Sequence, residues 1–567
     1  MSERKPWSSA QALERWARQR CGSLPLARAL GLAYEAELEG HACVRLPELD
    51  LVEQAELAAH PWVGDGSVVT PCVRTREGDF FLWRNWRHEL QVAHALLDRV
   101  AAAAPVPAPE LEADLAWLFD GSEAAAVAGQ RAAVAALPGR RLCVLTGGPG
   151  TGKTTTVLRM LLMLQRQRAD RPPLSIALAA PTGKAAQRLS QALREGIAAL
   201  RPRAQSAPAW QAALAQLPER AQTLHRLLGF DPASDRFRHG PARPLAADVV
   251  VVDEASMVDL ALMRALLDAL APQAILLLVG DPDQLVSVSA GSVLADWVSV
   301  ARSGVPGIAA HSVELTHVWR AGSALAASFD AIRRGDAHRL QTDIEAGQGL
   351  ARRPVHDAAT LQRALSDWLN HDHGPALQAL CAAPVVDPAQ AFAHLRRRQL
   401  LTALRNGPYG ADAVNARIDA HWRQQHGQRE WYPGRPLLIR QNDYARRLYN
   451  GDVGLVMRQD GELRVAFETV DGEGGASFRW LSPRELPAHD LGYALTVHQS
   501  QGSEYAEIAV LLPPDRDHPI LTRQLLYTAV SRARAHASLW CDAASLQAAL
   551  GRVSVRAGGL RRRLCGD

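Results

Sequence analysis

The chain has 567 residues, 47% hydrophobic and 22% charged, the composition of a globular protein of roughly three or four domains at ~100 to 200 residues each. A net charge of +4 permits contact with nucleic acid without arguing for it, and seven cysteines with no C-x-x-C pair argue against zinc, iron–sulfur and disulfide frameworks. The apolar runs, such as Ala274 to Val279, are far too short to span a membrane, and the start MSERKPWSSA has no apolar signal core, so a cytoplasmic protein is expected.

Residues 1–105 carry no nucleotide motif and read as a small, mostly helical docking domain with some β content around Val68 to Trp83. The Ala/Pro stretch Ala101 to Leu115 reads as a linker or domain boundary. Then comes LCVLTGGPGTGKTTT, Leu142 to Thr156, an apolar run followed by a glycine-rich turn and an amphipathic segment. Gly147, Gly152, Lys153 and Thr154 satisfy G-x-x-x-x-G-K-[ST] between a strand-like and a helix-like flank, the context a phosphate-binding loop needs. Backbone amides of Gly147, Gly148, Pro149–Gly150–Thr151–Gly152 and the Lys153–Thr154–Thr155 turn would converge on an anion, leaving out the proline, which has no N–H. Lys153 would reach the β/γ-phosphates of a nucleotide and the Thr154 hydroxyl would ligate Mg²⁺. A plain glycine-rich turn is the alternative, and the flanks weigh against it.

Lysine occurs only at Lys5, Lys153 and Lys184; every other Lys/Arg position is arginine. An ammonium point charge is not interchangeable with a planar guanidinium inside a phosphate cradle, so its persistence at Lys153 fits such a site.

From Leu142 the pattern alternates. Apolar runs at Leu142 to Leu145, Leu174 to Ala180, Val249 to Val252 and Ile275 to Val279 are separated by helix-like segments, including Lys184 to Ile197 and Met257 to Leu270, which predicts a parallel sheet covered on both faces. Ligands in such folds bind at the carboxyl ends of the strands, where GGPGTGK, APTGK, VDEAS and VGDPDQ fall. In that crevice Asp253 would hold Mg²⁺, directly or through water, and Glu254 would orient and deprotonate an attacking water. Gln284 offers an amide able to report on the γ-phosphate, although polar strand ends are common. No lysine stands in a guanine-reading N-K-x-D context, and no L-S-G-G-Q signature of an ABC-type ATPase is present.

The further stretches TLHRLLG, LTHVWR, LTALRNGPYG, RPLLIRQNDYARRLYNGDVG, YALTVHQSQGSEY and LLYTAVSRAR, together with those above, run through most of the chain. With them the sequence resembles the superfamily 1 DNA helicases, and within these the RecD family, the alpha subunit of exodeoxyribonuclease V (RecBCD). The N-terminal EGHACVRL and FFLWRNWRHELQVA resemble that family more loosely and favour it over the related stand-alone helicases, which remain the alternative. The resemblance implies an α/β fold with two RecA-like parallel-sheet motor domains, a small helical N-terminal domain and an SH3-like β insertion. The implied layout is 116–325 for the first motor domain, 326–434 with 488–567 for the second, and 435–487 for the insertion, whose short runs and tight turns are visible in NGDVG and QDGELRV.

The resemblance also implies an ATP- and Mg²⁺-dependent 5′-to-3′ helicase acting in double-strand break repair and recombination, with single-stranded DNA, duplex DNA ends and RecB and RecC subunits as partners. Gln130 matches the glutamine that reads adenine, and Arg320 and Arg532 match two arginines that reach the γ-phosphate. In other NTPases such a residue contributes ~10³ to 10⁵ in rate. Thr182, Lys184, Thr223, His225, Thr496, His498 and Ser503 correspond to segments that grip single-stranded DNA, with packing as the alternative for both histidines. Tyr444 and Tyr493 are possible base-stacking platforms, or core tyrosines. Gln499 stands where the family pattern has a lysine, which puts a charge-based role there in doubt. A nuclease site ending in E-x-K has no lysine to use after Lys184, so cleavage is expected to belong to a partner. The basic tail Arg561 to Leu564 reads as a solvated end.

Overall fold

The computed structural model describes residues 9–47, 49–102, 108–168, 171–319, 325–370, 373–383, 386–443, 445–470 and 476–566. Arg320 and Tyr444 lie outside the described residues.

Six parallel strands form the first sheet, in the order Ser312–Leu315, Leu142–Gly147, Ile275–Gly280, Val249–Val252, Ile176–Ala180 and Gln222–Thr223. The unbroken apolar runs have their cause in this arrangement, because alternate residues of each strand serve different cores. Leu142, Val144, Val250, Val252, Leu276 and Leu278 pack in one cluster with the helices Trp83–Ala101, Leu260–Ala269 and Val293–Arg302. Cys143, Leu145, Val249, Val251, Leu277 and Val279 pack in the other with Lys153–Arg166, Gly183–Ala204 and three further helices. The expected helix Met257 to Leu270 is divided: a 3₁₀ turn at Ala255–Met257 precedes a helix that starts at Leu260, where the Asp259 side chain accepts from the Leu262 amide at 2.7 Å.

The second sheet is also parallel, in the order Leu350–Arg353, Ala533–Trp540, Tyr505–Leu511, Arg398–Thr402 and Ala494–Thr496. It too lies between two buried clusters, one containing Leu401, Val510 and Leu539 and the other Leu400, Ala509 and Leu511. Between its strands the chain inserts an antiparallel sheet ordered Ala476–Leu481, Glu462–Val470, Val453–Gln459, Pro436–Ile439 and His489–Leu491. Asp460 and Gly461, at φ 50° and 81°, close its central hairpin between the paired Gln459 and Glu462, as the Asp-Gly dipeptide demands.

The N-terminal residues contain helices Ser9–Cys21, Leu24–Leu38 and Leu51–Ala59 and a four-stranded sheet built from Val44–Arg45, Val63–Gly64, Cys72–Arg74 and Asp79–Leu82. The β content is wider than expected, while Val68 and Val69 themselves lie outside the strands and are exposed. Within the expected linker, Ala101 ends one helix and residues 108–115 already belong to the helix Ala108–Phe119.

The basic tail is not a solvated end. Helix Leu560–Cys565 buries Leu560 and Leu564 in the core of the first sheet, Arg561 Nε donates to Asp296 at 2.7 Å, Arg562 pairs with Asp79, and Arg563 lies 3.5 Å from buried Glu89. Three arginines that look like surface charge thus meet three carboxylates supplied by distant parts of the chain.

Leu276 lies at the centre of the first sheet and is fully buried. Leu276→Ala should lower stability by ~2 to 5 kcal/mol, read as an earlier midpoint in urea unfolding of the full chain.

Candidate functional site

The phosphate-loop strand Leu142–Gly147 lies between the edge strand Ser312–Leu315 and Ile275–Gly280, and the helix starting at Lys153 follows after five residues. Gly150 and Gly152 take φ of 74° and 83°, and a Cβ on Gly152 would fall 2.6 Å from Gln130 Nε2, so the loop requires glycine there on two counts. A Cβ on Gly147 would meet Thr151 Oγ1 at 2.6 Å. Lys153 Nζ donates to the carbonyls of Gly147 at 2.7 Å and Gly148 at 3.1 Å, so the ammonium lies over the loop's own backbone. Trp319, just before the undescribed Arg320, donates its amide to the Gly150 carbonyl at 2.9 Å. Buried Gln130 accepts from Arg159 Nη1 at 2.5 Å.

A cleft of about 220 Å³ opens beside this loop, lined by Pro149 to Thr155, Ala185, Arg188, Leu189, Asp253, Glu254, Gln284, Glu504, Ser531 and Arg532. Both sheets contribute to it. Burial, and then the adjacent Glu254 charge, pushes Asp253 up to about 6 against the pull of Lys153. Glu254 donates its amide to Asp253 Oδ1 at 2.9 Å and holds φ 52°, ψ 41°, a left-handed backbone that costs a non-glycine residue of order 1 to 3 kcal/mol.

Across the cleft, Arg532 is 3% exposed, and its Nη2 donates to Gln284 Oε1 at 3.0 Å while its Nε donates to the Thr528 carbonyl at 3.1 Å. Gln284 Nε2 and the Tyr527 hydroxyl both donate to Asp281 Oδ2 at 3.0 Å. Burial raises the Asp281 pKa, opposed by Lys153 and by these hydrogen bonds. A second link joins Arg188 to Glu504, which also accepts from Arg534 Nε at 2.9 Å. Arg188, Glu504, Asp281 and Tyr527 were not among the expected site residues. Arg188 was within reach, since it stands four residues after Lys184 and therefore on the same helix face.

The expected strand-contact residues fall into two groups. Thr182 and Thr223 each cap a helix, accepting from Ala185 at 3.2 Å and Arg226 at 3.3 Å, and Thr223 pairs with Ala180, the last residue of the strand before Thr182. His225 is exposed, with Phe230 edge-on at 5.3 Å. Burial pulls Lys184 down to about 8, partly offset by Asp452 in the insertion. Thr496 ends the second sheet's edge strand, His498 and Ser503 follow on the turn after it, and Gly502 of that turn packs against Ala185. Tyr493 is no free platform: its hydroxyl meets Tyr432 at 2.5 Å, and Tyr432 donates to Asp419 at 2.7 Å.

Gln499 has a structural role that explains its departure from the family lysine. Its Oε1 accepts from the Thr496 amide at 2.9 Å while its own amide donates to Thr496 Oγ1 at 3.2 Å, the reciprocal pattern of a capping box. Lysine has no acceptor to offer that buried amide. Gln499→Lys should therefore cost ~1 kcal/mol and speed hydrogen exchange at the Thr496 amide, whereas Gln499→Glu should preserve both, as read by thermal melting and exchange.

The chain is similar to several known proteins. Residues 130–290 match the family model of an AAA domain, and residues 491–540 that of a UvrD-like helicase C-terminal domain. A Pif1 helicase from Bacteroides in complex with ADP-AlF3 and ssDNA is similar at 16% identity and a TM-score of 0.38, covering 80% of this chain and 95% of that one. The ATP-dependent RecD2 DNA helicase of Deinococcus radiodurans is 34% identical over 72% of this chain and 49% of its own. The RecBCD enzyme subunit RecD of Mycolicibacterium smegmatis is 39% identical over 562 residues, 94% of this chain and 93% of that protein. Identity at that level, running nearly end to end in both proteins, makes this chain a member of the RecD family of superfamily 1 helicases.

Proposed function

We propose that this chain is an ATP-dependent 5′-to-3′ translocase and helicase on single-stranded DNA, working as the RecD subunit of a RecBCD helicase-nuclease with RecB and RecC in double-strand break repair and recombination. The observation that carries the reading is the composite cleft, in which a phosphate loop and two carboxylates of the first sheet face a buried arginine of the second. A site assembled from both sheets makes their relative position depend on the nucleotide, and that is what a stepping motor needs. The stand-alone alternative is weaker, because the RecD2 relative matches 72% of this chain at 34% identity where the RecD relative matches 94% of it at 39%.

In this reading a nucleotide's phosphates replace the Gly147 and Gly148 carbonyls as partners of Lys153. Gln130, beside Gly152, reads the adenine. Glu254 orients and deprotonates the attacking water, Gln284 reports on the γ-phosphate, and Arg532 stabilises charge developing on it. Arg320 acts with Arg532 as the second finger. The donor chemistry fits Mg²⁺: Thr154 and Asp253 offer only hard oxygens, and the buried carboxylate, with its raised pKa, gains from a nearby cation. Mg²⁺ bound there would neutralise phosphate charge. Thr182, Lys184, Thr223, His225, Thr496, His498 and Ser503 grip the strand, and the domain layout follows the one expected from the sequence, with residues 435–487 as the SH3-like insertion, except that strand His489–Leu491 completes the inserted sheet and helix Leu560–Cys565 packs on the first unit.

Lys153→Gln should abolish ATP hydrolysis and unwinding, measured on duplexes with a 5′ or a 3′ tail using the chain alone and with RecB and RecC; normal turnover would sink the assignment. Glu254→Gln should bind ATP without hydrolysing it, seen as retained binding of a fluorescent nucleotide. Arg532→Ala should slow hydrolysis by ~10³ or more while weakening nucleotide binding far less, and equal losses would count against a finger.

A further inference from the structure

The stretches Glu39–Leu46 and Phe80–Ala93 take no part in the nucleotide cleft, yet together they hold the C-terminal end of the chain. Arg552 is still anchored on the second motor unit, its Nη1 donating to the His518 carbonyl at 2.6 Å. The chain then crosses over. Arg556 donates to the carbonyls of Glu39 at 2.6 Å and Ser287 at 2.8 Å. The Ala557 amide donates to His41 Nδ1 and its carbonyl accepts from the Ala42 amide, both at 2.8 Å. The Gly559 amide donates to Glu89 at 2.9 Å, and the Arg563 guanidinium lies 3.7 Å over the Trp86 ring.

Arg556 occupies a distinctive place in this strap. Gly40 lies flat beneath its guanidinium at φ 87°, and a Cβ there would fall 0.9 Å from Nη1. Ser287, which Arg556 holds, belongs to the loop that begins at Gln284 in the cleft. That loop is fixed at successive points from outside: the Leu285 amide donates to Thr528 Oγ1 at 2.7 Å, its carbonyl accepts from Gln501 Nε2 at 3.1 Å, and the Gly291 amide donates to the Gly40 carbonyl at 3.0 Å. Gln501 sits on the same turn as His498 and Ser503. The Arg556 charge also reaches His498, whose pKa burial and this arginine together depress.

We propose that Arg556 is a positioning residue that couples hydrolysis to strand movement by holding the loop 284–291 in register with the turn 496–503. The inference rests on the helicase reading above. The role is separable from anchoring the tail, because Gly559 with Glu89, Arg561 with Asp296 and the buried Leu560 and Leu564 hold the strap independently of it.

The test uses the full chain, assembled with RecB and RecC. ATP turnover is measured with and without oligothymidylate, together with base pairs unwound per ATP and the melting temperature. Arg556→Ala should leave DNA-free turnover and melting unchanged while DNA-stimulated turnover and unwinding per ATP fall about tenfold, as expected when positioning is lost far from the chemistry. Arg556→Lys, which keeps a cationic donor, should recover most of the loss, and Gly40→Ala, which displaces the guanidinium, should reproduce it. Both turnovers falling together, or coupling unchanged in Arg556→Ala, would overturn the positioning role. An unaltered chain with no DNA-stimulated turnover, as inert as Lys153→Gln, would remove the helicase reading itself and this inference with it.

Discussion

The seam between the two parallel sheets depends on one buried acid. Asp281 sits at the end of a first-sheet strand with 1% exposure, and its Oδ2 receives both Gln284 from its own loop and the Tyr527 hydroxyl from the second unit. A carboxylate taken out of water must be paired or hydrogen-bonded, since its desolvation cost is otherwise several kcal/mol. Two donors, one from the loop after a first-sheet strand and one from the helix Arg523–Val530 of the second unit, meet that requirement, and in doing so they orient the Gln284 amide so that its oxygen faces Arg532. Arg532 is itself buried and needs acceptors, which Gln284, Ser531 and the Thr528 and Ser503 carbonyls provide. The satisfaction of each buried group therefore fixes the next, from the first sheet into the second.

That chain of obligations ends at the reacting end of the cleft. In the proposed function Arg532 would turn toward a γ-phosphate only by leaving partners it already has, so nucleotide binding would exchange one set of charge-assisted hydrogen bonds for another instead of creating charge contacts from nothing. An exchange of this kind keeps the net change small, which suits a cycle that must run in both directions. The left-handed Glu254 backbone adds a second local constraint, because it turns the Glu254 amide onto Asp253 Oδ1 at the end of the strand.

Legibility in the sequence follows the range of the interactions involved. The phosphate loop, the parallel strands and the Asp460–Gly461 hairpin are local, written in glycine positions and apolar period, and they stood where the residues pointed. Arg532 carries no local mark in a chain so rich in arginine, and only resemblance singled it out. The tail was misread for the same reason: Arg561, Arg562 and Arg563 look solvated until Asp296, Asp79 and Glu89, hundreds of residues away, are brought to them. Gln499 shows the intermediate case. Its spacing from Thr496 is a capping-box spacing, but the comparison with a family lysine drew attention to the missing charge and away from the acceptor that had been gained.

The strap places a limit on how the two units can move. Arg552 is held by the second unit and Leu560 is buried in the core of the first, with eight peptide steps between them. A fully extended chain advances at most ~3.6 Å per residue, so with both anchors in place these two residues cannot separate beyond about 29 Å. Within that limit the cleft can open and close, while complete parting of the sheets requires the strap to undock first. Undocking would expose Leu560 and Leu564 and strand Glu89 without the Gly559 amide. The same residues that tie the N-terminal unit to the tail thereby set an upper bound on how far the two units can part while the strap stays docked.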